Sequence, residues 1–265
     1  MPNTGEKHVP LEVVAQIHAR HASAIGRLQL LAELARLGRE YIPVLRMIDD
    51  GKPAIAHLEA YAKEQSPDFF DLHALVTARL WSILEAYVRD MCCAIIQMVP
   101  SVREQQAIVK LKAPVVQFLN SSTQEQADFL YELLESSCSA PLKAGVGRFE
   151  AVLSALGYGG PVDKKVRYHL HHMSNLRNCI VHNDGVVDKK LVEACPWWAG
   201  TEGTRVGITA KMSHKHLFAV CWYMMEIQRR VLPSDFEHMA KLVEEMESYR
   251  ERIEQVPTPG KYPFA

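Results

Sequence analysis

Apolar positions in this chain recur at steps of three and four residues over most of its length, the pattern of amphipathic helices packed on one another. Val14, Ile17, Ile25, Leu28, Leu31 and Leu34 mark a long helix over residues 10 to 46, and the stretch DDGKP stops it. A second helix is expected over 53 to 64, set apart by Ser66, Pro67 and Asp68 from a stronger one over 69 to 98. In that stronger helix Leu72, Leu75, Ala78, Leu80, Ile83, Leu84, Tyr87, Val88 and Met91 form a wide apolar face, so it should be central. Pro100 ends it.

Shorter helices are expected over 102 to 119, 123 to 136 and 146 to 156. Ser122 followed by Glu125 has the spacing of a capping box, and Gly157 is placed to end the third. The turn GYGGPV leads into a helix from Asp163 to His182, which stops at Asn183, Asp184 and Gly185. Residues 195 to 212 combine CPWW, several glycines and an alternating run from Thr204 to Thr209, which suits a small two-stranded hairpin or an irregular loop near 200 to 210. A helix is expected next over 213 to 231, and Pro233, Ser234 and Glu237 carry capping chemistry for one more. Met239, Leu242, Met246, Tyr249 and Ile253 give that last helix an a/d seam, and the tail VPTPGKYPFA reads as extended or disordered. The fold class is therefore all-α, an up-down helical bundle. Residues 1–67 form an N-terminal helical extension, 68–232 the central bundle and 233–265 a long C-terminal helix with its tail.

Composition adds limits. With 265 residues, 48% hydrophobic and 23% charged, the chain can bury a sizeable core. A formal charge of −1 gives no global attraction to nucleic acid, so any RNA contact has to come from a local basic patch. No apolar run reaches the roughly 18 to 20 residues that span a bilayer, and MPNTGEKHVP lacks the parts of a secretion signal, so no membrane partner and a cytoplasmic location are expected. Cys92, Cys93, Cys138, Cys179, Cys195 and Cys221 contain no CxxC pair and read as reduced packing residues.

Candidate chemistry is concentrated in MSNLRNCIVHNDG. Asn178 and His182 stand one helical turn apart, on a face expected to include Ser174 and His171, opposite a buried stripe of Leu170, Met173, Leu176 and Ile180. Such a polar stripe needs water, a partner or a ligand, because unpaired buried polar groups cost a few kcal/mol each. Lys164, Lys165, Arg167, Arg177, Lys189 and Lys190 outnumber Asp163, Asp184 and Asp188 in this region, whereas the last helix is acidic. That asymmetry would put RNA near the motif, with Lys164, Lys165, His171 and Ser174 as substrate-binding candidates.

The motif RNCIVH resembles that of the HEPN superfamily, an Arg, a following polar residue and then a His. Around it, LWSILEAYVRDM is similar to the family's opening helix, VGRFEAVLSALGYGG to the helix and turn before the motif, and NDGVVD with GTRVGIT to the family's segments downstream of it. The resemblance covers roughly residues 68 to 232. It implies a metal-independent endoribonuclease with Arg177, Asn178 and His182 at its centre, no cofactor, and a bacterial toxin or anti-phage defence setting. His182 would act as general base or acid for attack of a ribose 2′-OH on the adjacent phosphate, since imidazole titrates at about pH 6.5. Arg177 would hold that phosphate, and Asn178 would orient the histidine or a phosphate oxygen. On an ideal helix Arg177 points about 140° away from His182. A second copy of the helix across a two-fold axis would complete such a cleft, and a homodimer through the motif helix is what the resemblance implies.

Other readings of these residues stay open. An Arg and a His near a helix end commonly cap or pack it. HLHH at 169–172 suggests zinc only weakly, with no Cys or carboxylate at ligand spacing, and the expectation is no metal site. His214 and His216 read as solvated, Trp197 and Trp198 as closing a core beneath their loop, and Glu85 as either a polar partner of the motif helix or a surface residue. Two further function classes fit the same motif: a non-catalytic HEPN-like module that binds RNA or protein, and a toxin component regulated by an antitoxin or defence-system partner.

Overall fold

The computed structural model describes residues 8–48, 56–57, 60, 70–112, 118–138 and 145–253. Among these residues the chain is all-α: α1 (Leu11–Ile48), α2 (Phe70–Met98), a 3-10 turn (Pro100–Glu104), α3 (Gln106–Val109), α4 (Thr123–Ser137), α5 (Gly147–Ala155), α6 (Lys164–His182), α7 (Lys189–Ala194), α8 (Ala210–Val231) and α9 (Met239–Arg252). The helix expected over 53 to 64 and the C-terminal tail from 256 lie wholly or mostly outside the described residues.

α2 is the axis of the bundle, packed against by α1, α4, α6 and α8. Its buried residues, from Ala74 to Ile96, occupy more than one side of the helix, as a central position requires. α1 runs antiparallel to it. Arg20 and His21 pair with Asp90, while Leu28 lies in one groove with Leu72, Val76 and Leu80. α8 packs on α2 and α6, Tyr87 Oη donates to the Met224 carbonyl at 2.9 Å, and α9 lies against α8 along the seam of Leu242, Met246 and Ile253. No helix among the described residues is long and apolar enough to cross a membrane.

The start of α6 is fixed by a buried charge network. Glu150 of α5 accepts from Tyr223 Oη at 2.7 Å, from Arg230 Nη1 at 2.8 Å and from the Gly160 amide at 3.0 Å, and Arg230 also donates to the Pro161 carbonyl at 3.1 Å. This holds the GYGGPV turn against α8. The Asp163 carboxylate then accepts from the amides of Lys165 and Val166 and caps α6. Upstream, Ser122 and Glu125 form the expected reciprocal capping box, and Gly157, at φ +86°, ends the run after α5 in a conformation that favours glycine.

Two expectations are corrected. The helix expected over 102 to 119 is broken, because Pro100 opens a 3-10 turn and Gln105 is extended (φ −61°, ψ 134°) before α3; the break lets Val102 and Ile108 both reach the core. Ser234 and Glu237 do not cap the last helix. That stretch forms two turns, closed by Phe236 N–H to the Pro233 carbonyl and Met239 N–H to the Phe236 carbonyl, which place Phe236 against the core, and α9 starts after His238. Of the two forms expected for the run Thr204–Thr209, hairpin or irregular loop, the structure has the irregular loop. It pairs with the segment after α6 through one antiparallel bridge, Val186 to Arg205.

A second, smaller apolar cluster seats that loop. Leu176 and Cys179 of α6 meet Ala74 of α2, Val187, Leu191 of α7, Cys195, Val206 and Ile208, with Trp197 and Trp198 packed over it. The two tryptophans thus close this cluster, the packing role their size favours.

Candidate functional site

α6 ends in a turn that is unusually well fastened. The Cys179 carbonyl accepts from the amides of Asn183 (3.0 Å) and Gly185 (3.2 Å), while the Val186 carbonyl accepts from Asn183 Nδ2 (2.5 Å) and Cys179 Sγ (2.8 Å). Asp184 (φ 49°) and Gly185 (φ 70°) both take the left-handed conformation that lets the chain reverse here. His182, the last residue of the helix, is therefore held on a rigid terminus with its side chain in solvent.

Three side chains converge at that end. The Arg177 guanidinium runs along the helix, and its Nη1 donates to Asn178 Oδ1 at 3.2 Å and to His182 Nε2 at 3.1 Å. The angular gap expected on an ideal helix is thus bridged within one chain by the length of the arginine side chain. A guanidinium only donates, so Nε2 is the acceptor in this contact and turns its lone pair toward Arg177. Asn178 and His182 are exposed and Arg177 is partly so, which leaves the group open to a large ligand.

The remaining predicted site residues are elsewhere. His171 and Ser174 are buried. His171 Nε2 donates to the Ala194 carbonyl at 3.1 Å and so ties α6 to α7, while Ser174 Oγ donates back to the His171 carbonyl of its own helix at 3.0 Å, so neither faces a ligand. The cause is α7, which covers that face of α6. Lys164 and Lys165 stand in the first turn of α6, about 27 Å along its axis from His182 at 1.5 Å per residue. They share a helix with the motif but not a site. Glu85 pairs with Arg148 of α5 at 2.5 Å instead of with α6.

Sequence reasoning missed a buried histidine cluster. His169 and His172 of α6 face His216 of α8, with ring centroids 6.1 and 5.4 Å from that of His216. His216, expected to be solvated, is completely buried; its Nδ1 lies 3.2 Å from Thr77 Oγ1 and its Nε2 3.4 Å from His172 Nδ1. Burial lowers the pKa of His169 and of His172 to about 3 and pushes His216 well below its ordinary value, so the cluster is neutral. Among the described residues no group of three or more His, Cys, Asp or Glu is arranged to hold a metal ion. His214, two positions before His216, is exposed as expected.

Comparison of the chain with models of protein families, with curated proteins and with solved structures finds no match.

Proposed function

We propose that this protein is a metal-independent endoribonuclease of the HEPN type, acting at Arg177, Asn178 and His182. The observation that carries the reading is the convergence of a guanidinium, an amide and an imidazole at the exposed, tightly fastened end of α6. An arginine and a histidine 3.1 Å apart in solvent contribute little to stability, so their pairing asks for another purpose. Entry of a phosphate between them would take over the Arg177 donors and free His182 Nε2. His182 then removes the proton of the ribose 2′-OH; that oxygen bonds to phosphorus as the bond from phosphorus to the 5′-oxygen breaks, and the leaving oxygen takes up a proton. Arg177 balances charge gathering on the phosphoryl oxygens, and Asn178 orients the imidazole or an oxygen beside it. The 2′-OH requirement makes RNA the substrate.

The open geometry also favours a site completed by a second surface. Grooves of about 510 and 370 Å³ are lined by residues other than the motif, and Val181, next to His182, is exposed. A homodimer through α6 supplies that surface, and an antitoxin or other defence partner would regulate it in the cytoplasmic toxin or anti-phage setting that the resemblance suggests. A non-catalytic RNA- or protein-binding role is the alternative, and product chemistry separates the two. Purified protein incubated with mixed RNA in EDTA is expected to leave cyclic phosphate or 3′-phosphate ends and 5′-OH ends. Activity that vanishes on chelation and returns with a divalent ion contradicts the proposal, and so does intact RNA.

A further inference from the structure

We infer that Arg205 is a second phosphate contact of the same site, so that the ligand is a single-stranded RNA chain gripped at more than one phosphate rather than a mononucleotide. The inference rests on the proposed ribonuclease site for the position of the scissile phosphate. Its own basis is the irregular loop that carries Arg205. Three backbone bonds clamp that loop to the segment after α6: Val187 N–H to the Thr204 carbonyl (2.8 Å), Gly203 N–H to the Val187 carbonyl (2.9 Å) and Val206 N–H to the Gly185 carbonyl (2.8 Å). Side chains alternate across such a pairing. Val187 and Val206 point into the smaller apolar cluster, so Val186 and Arg205, the bridged pair, share the outward side, immediately after the turn that holds His182.

Arg205 is thus fixed in its backbone and free in its head. Its side chain is 67% exposed, and its partners are Asp71 at 3.6 Å and Asp184 at 3.7 Å, themselves 53% and 93% exposed. Those separations are too long for hydrogen bonds, and exposed pairs of this kind hold little free energy. The five N–H donors of a guanidinium suit a phosphate far better than two distant, solvated carboxylates. Arg177 and Arg205 belong to two different elements, the helix itself and the loop clamped beside its end, with His182 and its turn between them in sequence. A chain laid across this end meets one guanidinium on each side. Asp71 and Asp184 balance these arginines in the free protein, so a phosphate gains the Arg205 guanidinium only by displacing those distant, solvated carboxylates.

The test uses full-length protein carrying His182→Ala, so that RNA stays intact, with a fluorescent single-stranded oligouridylate as probe. Adding Arg205→Ala is expected to weaken binding about fivefold at low salt and to make the slope of log affinity against log salt shallower by about 0.7, the value for one phosphate contact on a single strand. Arg205→Lys should retain the slope, Arg205→Glu should weaken binding more than Arg205→Ala, and Lys241→Ala on α9 should change nothing. Thermal melts should coincide, because Arg205 makes only exposed pairs. Unchanged affinity and slope in Arg205→Ala, an equal loss in Lys241→Ala, or no binding by any form overturns the inference. Wild-type protein that binds RNA with this Arg205 dependence but leaves it uncut overturns the ribonuclease reading and keeps the contact. Cleavage by wild type whose KM and salt response ignore Arg205→Ala does the reverse.

Discussion

One helix carries two groups of histidine in opposite settings. At the C-terminal end of α6, His182 stands in solvent against a guanidinium; about three to four turns earlier, His169 and His172 are sealed against α2 and α8 with His216. The residue type is the same and the helix is the same. The difference lies in the neighbours of each face: the apolar stripe of α6 continues through His169 and His172 into the core, while its last turn runs past the edge of the bundle. Burial holds the first group neutral and makes it part of the packing. The second stands open to solvent and to any ligand that reaches the end of α6, the access that the proposed acid and base chemistry requires.

This contrast can be broken from the buried side. His216→Ala is expected to lower stability by roughly 3 kcal/mol, from lost contacts, the space left behind and the stranded His172 Nδ1 and Thr77 hydroxyl. Urea unfolding measures it, and a loss under about 1 kcal/mol would mean that the three histidines do not act as a packing unit.

Acid should act next. His169 and His172 have folded pKa values of about 3, well below the ordinary 6.5, so between those values the unfolded chain binds more protons than the folded one. Stability therefore falls as pH drops below 6.5, and each such histidine contributes about 1.4 kcal/mol per pH unit well inside that window. His216 acts in the same direction. Urea midpoints between pH 6.5 and 5 should show this slope, reduced in His169→Leu; a flat profile contradicts the buried neutral assignment.

Much of the fold was legible because local chemistry and periodicity agreed. Asp163 before α6, Ser122 with Glu125 before α4 and Gly157 after α5 each mark a boundary that the structure keeps. The candidate triad was legible as a motif, and its single-chain geometry follows from the reach of an arginine side chain that angular reasoning about Cα positions leaves out. The histidine cluster had a signal that went unused: His216 falls on the stripe of Ser213, Leu217 and Val220, and His169 and His172 fall beside Val166, Leu170 and Met173, all buried. His171 and Ser174 were misplaced for a different reason. Their cover is α7, six residues long, too short for periodicity to announce, and the packing across a face is decided by the tertiary fold. The loop partner of Val186 was illegible on the same ground, since three hydrogen bonds between segments about twenty residues apart leave no local pattern.

The most direct measurement pairs cleavage with a thermal melt on His182→Ala. The protein should melt close to wild type, with stability changed by less than about 1.5 kcal/mol, since the residue is exposed and makes one side-chain contact, to Arg177. Its RNA cleavage should be lost, by at least the hundredfold that removal of a general base entails. A folded His182→Ala protein that cuts RNA at the wild-type rate would contradict the account at its centre.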